Sequence, residues 1–370
     1  MTTSTVFLGG ATVQRLGIGL TRLRDSRDAL SRSRLIESLI CDDSAVFLDT
    51  SPLYSAGKSE IFAGDLKRAF GEKVFLGTKY YPRENQSEFD VIQTVHSSLK
   101  KMGLESIDLL QIHWPNPLCN IDEVLSGFRA LKVDGVVKNF GLSNFSSTEV
   151  NEITRQREVD FISCQIEFNF SVIRPKITSI EQIPLIIYGA LLQGRFTPSR
   201  SVNERVENLA HSLGVGSPAL ILGYILNRFP KSACVVKVSD KAHLVRLLDG
   251  VRIELGAEQL AYLDELLPTE PVYVDSNSIH LRGDGVRSPY LTLEDALENK
   301  LDLIPCPFSL ATRIRKYGIV LPLKVYRSGD RFLIDDYDPF DQIKKFWAWR
   351  LAYPGRKVPV SILDAEVRGC

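Results

Sequence analysis

The sequence predicts an α/β protein: a (β/α)8 TIM barrel with an N-terminal hairpin, followed by a small α+β domain. Three observations predict it. Eight short, mostly apolar runs recur between Val6 and Leu267, as expected of parallel strands buried on both faces. Amphipathic stretches separate them. The rhythm then breaks at Leu267-Pro268. Eight βα units in about 260 residues match the usual size of such a barrel. A doubly wound sheet is the alternative that the same rhythm allows.

At the N-terminus, Thr5–Leu8 and Ala11–Leu16 flank Gly9-Gly10, a two-residue hairpin signal. The candidate barrel strands are Leu16–Gly19, Val46–Asp49, Val74–Lys79, Leu109–His113, Asn139–Ser143, Ser163–Glu167, Leu185–Tyr188 and Cys234–Val238. Between them, Asp90–Met102 carries Val91, Val95 and Leu99 four apart and stops at Gly103. Glu123–Val133 stops at Gly135, and Ser146-Ser147-Thr148-Glu149 has the pattern of a helix cap. Thr269–Pro289, with Pro271, Gly283, Gly285 and Pro289, reads as a linker. The expected division is therefore a barrel at 1–268, a linker at 269–289 and a module at 290–370. In that module, helices are expected at Thr292–Asn299 and at Ser309–Tyr317, the second closed by Gly318. Leu321–Tyr326 and Arg331–Ile334 flank the turn Ser328-Gly329-Asp330. A helix at Phe340–Leu351 and a strand at Val358–Leu363 complete it.

The chain has 370 residues, with 45 Lys+Arg against 45 Asp+Glu and a formal net charge of zero. Bulk charge thus argues against nucleic acid or an anionic membrane as partner. The start, Met-Thr-Thr-Ser-Thr, has no basic region before an apolar one, so no signal peptide is expected. Apolar runs such as Ile183–Leu192 fall short of the ~18 residues a membrane span needs. Six cysteines, at 41, 119, 164, 234, 306 and 370, form no C-x-x-C pair and read as reduced thiols of a cytoplasmic protein. Nothing in the sequence sets the oligomeric state.

In a barrel, the C-terminal strand ends build the active site. Three consecutive strands bring Asp49, Lys79 and His113 there, and Tyr54 follows in Asp-Thr-Ser-Pro-Leu-Tyr. Singly, each has a plain reading: a snorkelling lysine, a satisfied core histidine, a helix-capping aspartate, a packing tyrosine. Together they make one mechanism. A buried lysine needs a counter-charge, which Asp49 can supply. An ammonium beside a phenol is expected to draw its pKa down from ~10 and make Tyr54 a usable general acid. His113 can orient a carbonyl oxygen. The set holds no activated Ser or Cys and no metal-spaced cluster, so no metal is expected.

Residues 5–268 resemble the aldo-keto reductase family. The matching motifs are Leu-Gly-Ile-Gly (16–19), Asp-Thr-Ser-x-x-Tyr (49–54), Gly-Thr-Lys (77–79), Ile-Asp-Leu-Leu-Gln-Ile-His-Trp-Pro (107–115) and Gly-Leu-Ser-Asn-Phe (141–145). The resemblance implies hydride transfer between NADP(H) and a carbonyl or alcohol. It places a catalytic tetrad on Asp49, Tyr54, Lys79 and His113. It places nicotinamide contacts on Ser143, Asn144 and Gln165, with Tyr188 as the stacking ring. Further cofactor contacts are expected at Gly19, Leu20, Thr21, Asp49, Gly189, Leu191, Lys237, Ser239 and His243. Substrate contacts are expected at Leu20, Tyr54, His113 and Trp114.

Three departures stand out. Tyr188-Gly-Ala-Leu191 replaces the usual Tyr-Ser-Pro-Leu on the pyrophosphate side. After the eighth strand, Lys237 keeps the place that meets a 2′-phosphate, but His243 stands in the arginine position and Asp240 adds a negative charge. A carboxylate there favours a free ribose hydroxyl, so NADP(H) is the first expectation and NAD(H) the second. The loop after His113 is short, which leaves the pocket open or roofed from outside the barrel.

Residues 290–365 resemble the ParB/sulfiredoxin-like fold, through Ile314–Tyr326, Gly329–Asp336 and Lys357–Val360. Its phosphate-binding signature is replaced by Asp335-Asp336-Tyr337-Asp338-Pro339. That stretch repels phosphate and reads as a solvated acidic turn or a weak metal site. Trp347 and Trp349 read as packing residues or as a base-stacking surface. The module is expected to roof or extend the substrate site. The leading reading is a reductase or dehydrogenase acting on a small carbonyl or alcohol. The alternative is a cofactor-binding redox sensor or regulatory subunit acting through the C-terminal module. A nucleic-acid-binding role for that module is disfavoured by the neutral charge and the missing motif.

Overall fold

The computed structural model describes residues 4–21, 23, 25–40, 43–155, 159–172, 183–238, 240–280, 293–299, 303–318, 322–335 and 339–364. The glycine pair at 9–10, with φ of 52° and 89°, folds β1 (Thr5–Leu8) back onto β2 (Ala11–Gln14). The eight barrel strands are β3 (Leu16–Gly19), β4 (Val46–Asp49), β5 (Val74–Tyr80), β6 (Leu109–Ile112), β7 (Phe140–Ser143), β8 (Phe161–Glu167), β9 (Leu185–Tyr188) and β10 (Ser232–Val236). They close in that order, β10 pairing with β3, and every ladder is parallel. This is the barrel the sequence predicts; the doubly wound alternative falls.

Nearly every strand residue is buried, which explains the apolar runs. Phe47 fills the barrel's lower end with Phe75, Leu109, Ile186 and Val235, and hairpin residues Leu8 and Val13 plug it from below. The glycine of Gly-Thr-Lys is needed here, because a Cβ on Gly77 would stand 2.9 Å from the Phe47 ring.

Helices α1 (Ser26–Glu37), α2 (Lys58–Phe70), α3 (Glu88–Met102), α4 (Ile121–Val133), α5 (Ser147–Arg155), α6 (Arg200–Ser212), α7 (Ser217–Arg228), α8 (Lys241–Arg252) and α9 (Ala257–Asp264) surround the strands. Ser87 and Asp90 cap α3 reciprocally, and Gly103 ends it at φ 64°. The close approach of α2 to α3 rests on Gly64, where a Cβ would lie 2.0 Å from the Met102 carbonyl oxygen. That obstacle is backbone and cannot rotate away. Gly64→Ala is therefore expected to cost about 1–3 kcal/mol or more and to lower the melting temperature in a thermal scan. An unchanged melting temperature contradicts this packing. Among the described residues, no single helix is long and apolar enough to cross a membrane.

The C-terminal part is a five-stranded sheet in the order β11-β15-β13-β14-β12. Its strands are β11 (Val272–Val274), β12 (Ile279–His280), β13 (Leu323–Ser328), β14 (Arg331–Ile334) and β15 (Val358–Leu363). Helices α10 (Leu293–Leu297), α11 (Pro307–Tyr317) and α12 (Pro339–Ala352) accompany it. Part of the stretch expected as linker is thus sheet: β11 pairs with β15 and β12 with β14. Its prolines and glycines hid two short edge strands, which edges tolerate. Trp349 packs in the main core of this module and Trp347 in a smaller cluster with Ala296 and Ile343. Both indoles are buried packing residues, not a stacking surface.

Candidate active site

A parallel barrel delivers every strand's C-terminal end to one rim. Asp49 ends β4, Lys79 lies one residue inside β5, and His113 follows β6 directly. All three are buried. Lys79 Nζ lies 2.6 Å from Asp49 Oδ1 and donates to the Thr50 carbonyl at 2.9 Å. The same ammonium sits 4.7 Å from the centroid of the Tyr54 ring. The His113 ring meets the Tyr54 ring edge-on, with centroids 5.9 Å apart. The structure thus brings the four expected residues into one cluster.

The turn that carries Tyr54 is strained. Ser55 and Ala56 have φ of 50° and 54°, a region that residues with a Cβ avoid, and Gly57 follows at 83°. Ser55 Oγ accepts from the Leu23 amide at 2.8 Å and ties the turn to the loop after β3.

Burial holds the Tyr54 phenol above its ordinary pKa. Lys79 pulls it back without cancelling the rise. The expected net lowering by the ammonium is therefore corrected: desolvation outweighs it. The phenol keeps its proton at neutral pH. Burial also pulls the Lys79 ammonium down, but Asp49 and Tyr54 together raise it above its usual value. His113 is held well below its ordinary pKa, first by burial and then by Lys79 and Lys344. Its ring is neutral. Ser51 Oγ accepts from the Leu53 amide at 3.2 Å and lies 3.4 Å from His113 Nδ1. The contact allows either direction; when the serine donates to Nδ1, the imidazole proton stands on Nε2.

Next to this cluster stand Ser143, Asn144, Gln165 and Tyr188. Gln165 Oε1 accepts from Gln111 Nε2 at 3.0 Å, which aims its own amide nitrogen elsewhere as a donor. Asn144 has φ 64°. Its side chain donates to the His113 carbonyl and to Ser143 Oγ, and accepts from the Tyr188 hydroxyl at 2.7 Å. A hydroxyl, two primary amides and an aromatic plate suit a flat ring bearing a carboxamide. Gly19 closely backs Val235. Leu20 follows β3 directly. Its side chain lies wholly in the core, and its backbone bonds to Asp49 and Ser59. Thr21 is half-buried in the next turn.

Gly189 has φ 70°, and Leu191 is half-buried. Lys237 is exposed just beyond β10, His243 lies in the first turn of α8, and Ser239 falls outside the described residues. The Asp240 carboxylate caps α8, accepting from the His243 amide at 2.8 Å. A charge engaged at a cap is a weaker repellent for a 2′-phosphate than the sequence implies. Burial, with Arg246 nearby, lowers the pKa of His243 despite Asp240.

The second module lies against this rim. Lys344 Nζ sits 4.8 Å over the Trp114 ring, and Ser309 Oγ donates to Asn116 Oδ1 at 2.9 Å. Lys324 pairs with Glu167, and Arg195 pairs with Asp335 at 2.8 Å. Asp335 is therefore no solvated acid: it is buried in an ion pair that Tyr326 also joins. Asp336 and Asp338 lie outside the described residues, and among the described residues no cluster is spaced for a metal ion. Sequence reasoning missed Ser51, Gln111, Arg195, Arg313 and Lys344, and saw in Glu149 only a helix cap, since these contacts come from partners far along the chain.

Residues 15–268 match the Aldo/keto reductase family. The chain is 25% identical over 237 residues to methylglyoxal reductase YeaE of Escherichia coli, covering 60% of this chain and 79% of that protein. It is 24% identical over 290 residues to pyridoxine 4-dehydrogenase of Escherichia coli, covering 71% and 98%. Among solved structures, an aldo-keto reductase from Klebsiella pneumoniae in complex with NADPH superposes with a TM-score of 0.64 at 21% identity, covering 72% of this chain and 96% of that one. The thermostable aldo-keto reductase Tm1743, in complex with the inhibitor epalrestat, gives 0.65 at 23% identity, covering 71% and 100%.

Proposed function

The chain belongs to the aldo/keto reductase family, and from that premise we propose that it is an NAD(P)-dependent carbonyl reductase or alcohol dehydrogenase with Tyr54 as general acid and base. The observation that carries this reading is the buried Asp49–Lys79 pair, at 2.6 Å, with its ammonium on Tyr54. A binding module needs no such pair beneath a phenol, which sets the sensor reading second.

The nicotinamide cofactor, when bound, supplies or accepts the hydride. Ser143, Asn144 and Gln165 would hold its carboxamide, and the Tyr188 ring would stack on it. Neutral His113 donates Nε2–H to the carbonyl oxygen and turns it toward Tyr54. Tyr54 gives its proton to that oxygen as the alkoxide develops, and in the alcohol direction takes it back. Lys79, held by Asp49 and the Thr50 carbonyl, stabilises the phenolate left behind. The cofactor is NADP(H) first, because Lys237 and His243 stand where a 2′-phosphate is expected and Asp240 is engaged at its cap. NAD(H) is second. We propose that the C-terminal module, which resembles the ParB/sulfiredoxin-like fold in its sequence, roofs the substrate site over Trp114, on which Lys344 packs.

Fluorescence titration with NADPH and NADH, then turnover on aldehydes and ketones including methylglyoxal and pyridoxal, tests the reading. NADPH is expected to bind more tightly than NADH, with oxidation dependent on a carbonyl. Absence of binding by both nucleotides overturns it.

A further inference from the structure

Asn144 is the node of the expected nicotinamide site. Its amide N–H donates to the Gln165 carbonyl at 2.8 Å, and its side chain joins His113, Ser143 and Tyr188. Four strand ends, those of β6, β7, β8 and β9, therefore meet at one residue. Its backbone sits at φ 64°, in the left-handed region that asparagine adopts more readily than other residues with a Cβ.

The group that holds its free carbonyl comes from outside the barrel. Arg313, on α11 of the second module, donates from Nη2 to the Asn144 carbonyl at 2.9 Å. The same guanidinium grips Glu149 with Nε at 2.7 Å and Nη2 at 2.8 Å. Glu149 in turn caps α5, accepting from the Ser146 amide and hydroxyl, each at 2.8 Å. Arg313 is 2% exposed, deep beneath the module. A planar fork fixed on Glu149 leaves the guanidinium little freedom to turn, so its bond to Asn144 is geometrically set. The next strand ends are gripped in the same way. Lys324 takes Glu167, at the end of β8, and Asp335 takes Arg195, in the loop after β9.

We infer that the C-terminal module completes the cofactor site, with Arg313 as a positioning residue that locks Asn144 into its ring-binding conformation. This rests on the reading of Asn144 as a nicotinamide contact. It also changes the role of the module. A roof over substrate alone would leave cofactor binding independent of it. Here the module reaches the residues that are to hold the ring.

The plain alternative is that Arg313 only fastens two modules together. The test uses the full chain with four variants: Arg313→Met, Arg313→Lys, and two controls on the same helix face. The controls are Tyr317→Phe, which loses a bond to Glu152, and Ser309→Ala, which loses one to Asn116. NADPH affinity is read by fluorescence titration, kcat and substrate KM by steady-state kinetics, and folding by thermal melting. Arg313→Met is expected to weaken NADPH at least tenfold and to lower kcat, with a smaller effect on substrate KM. Arg313→Lys keeps the charge against Glu149 without the fork, and its NADPH affinity is expected to fall between wild type and Arg313→Met. The controls are expected to stay within twofold of wild type. The inference is overturned if folded Arg313→Met matches wild type in NADPH affinity and kcat. Should Arg313→Met not fold, a wild-type NADPH affinity in Arg313→Lys overturns it. Equal losses in the controls also overturn it, because they reveal a fastening role only. If wild type binds neither nucleotide, the functional reading fails first and the inference falls with it.

Discussion

Tyr54→Phe is expected to lower kcat/KM by about 10²–10⁴-fold, the range that a lost general acid accounts for. The substitution removes one hydroxyl and keeps the ring that lies under Lys79 and against His113. NADPH affinity is therefore expected to stay within twofold of wild type, measured by fluorescence titration on the same preparation. Because burial keeps the phenol protonated, carbonyl reduction is expected to persist through neutral pH and to fall only in the alkaline range. A folded Tyr54→Phe protein with wild-type turnover removes Tyr54 from the chemistry. A variant without turnover that still signals to a partner favours the sensor reading.

Asp49→Asn is expected to cost about 3–5 kcal/mol of stability, because it strands a buried ammonium without its counter-charge. Asp49 and Tyr54 raise the pKa of Lys79 against the pull of burial. A cation whose folded pKa is raised contributes stability below its unfolded value of ~10.4 and loses it as pH climbs through the folded value. With Asp49 neutral, burial is left to dominate and the sign reverses. Lys79 then sheds its proton at lower pH, so kcat is expected to decline earlier on the alkaline side, while the stability deficit of the variant is expected to shrink as pH climbs through the lowered Lys79 value. Melting curves and pH–rate profiles of the two proteins, collected side by side, check this. Superimposable alkaline limbs would show that the pair does not govern the site.

Much of this site was legible in the chain. Asp49, Lys79 and His113 occur at matching places in successive βα units, and barrel geometry turns that phase into proximity. The hairpin glycines, the cap at Ser146 and the stop at Gly318 were legible for a similar reason, as each acts on its own neighbours. The sign of the Tyr54 shift was not. The sequence shows which charge will stand beside the phenol, but the depth of burial depends on everything packed above it, and desolvation proved the larger effect. Asp335 was misjudged for a related reason: its carboxylate is buried against Arg195, 140 residues away in the chain.

Linear order sufficed for the barrel, its strand ends and the identity of the four clustered side chains, because periodicity and local turn chemistry act over a few residues. Packing between distant segments set the rest: the protonation of Tyr54 and His113, the engagement of Leu20 in the core, and the edge strands drawn from the expected linker. It also set the reach of Arg313 across 169 residues to Asn144. Burial and long-range hydrogen bonds exist only once the chain has closed on itself, and they decide which charges remain available for chemistry.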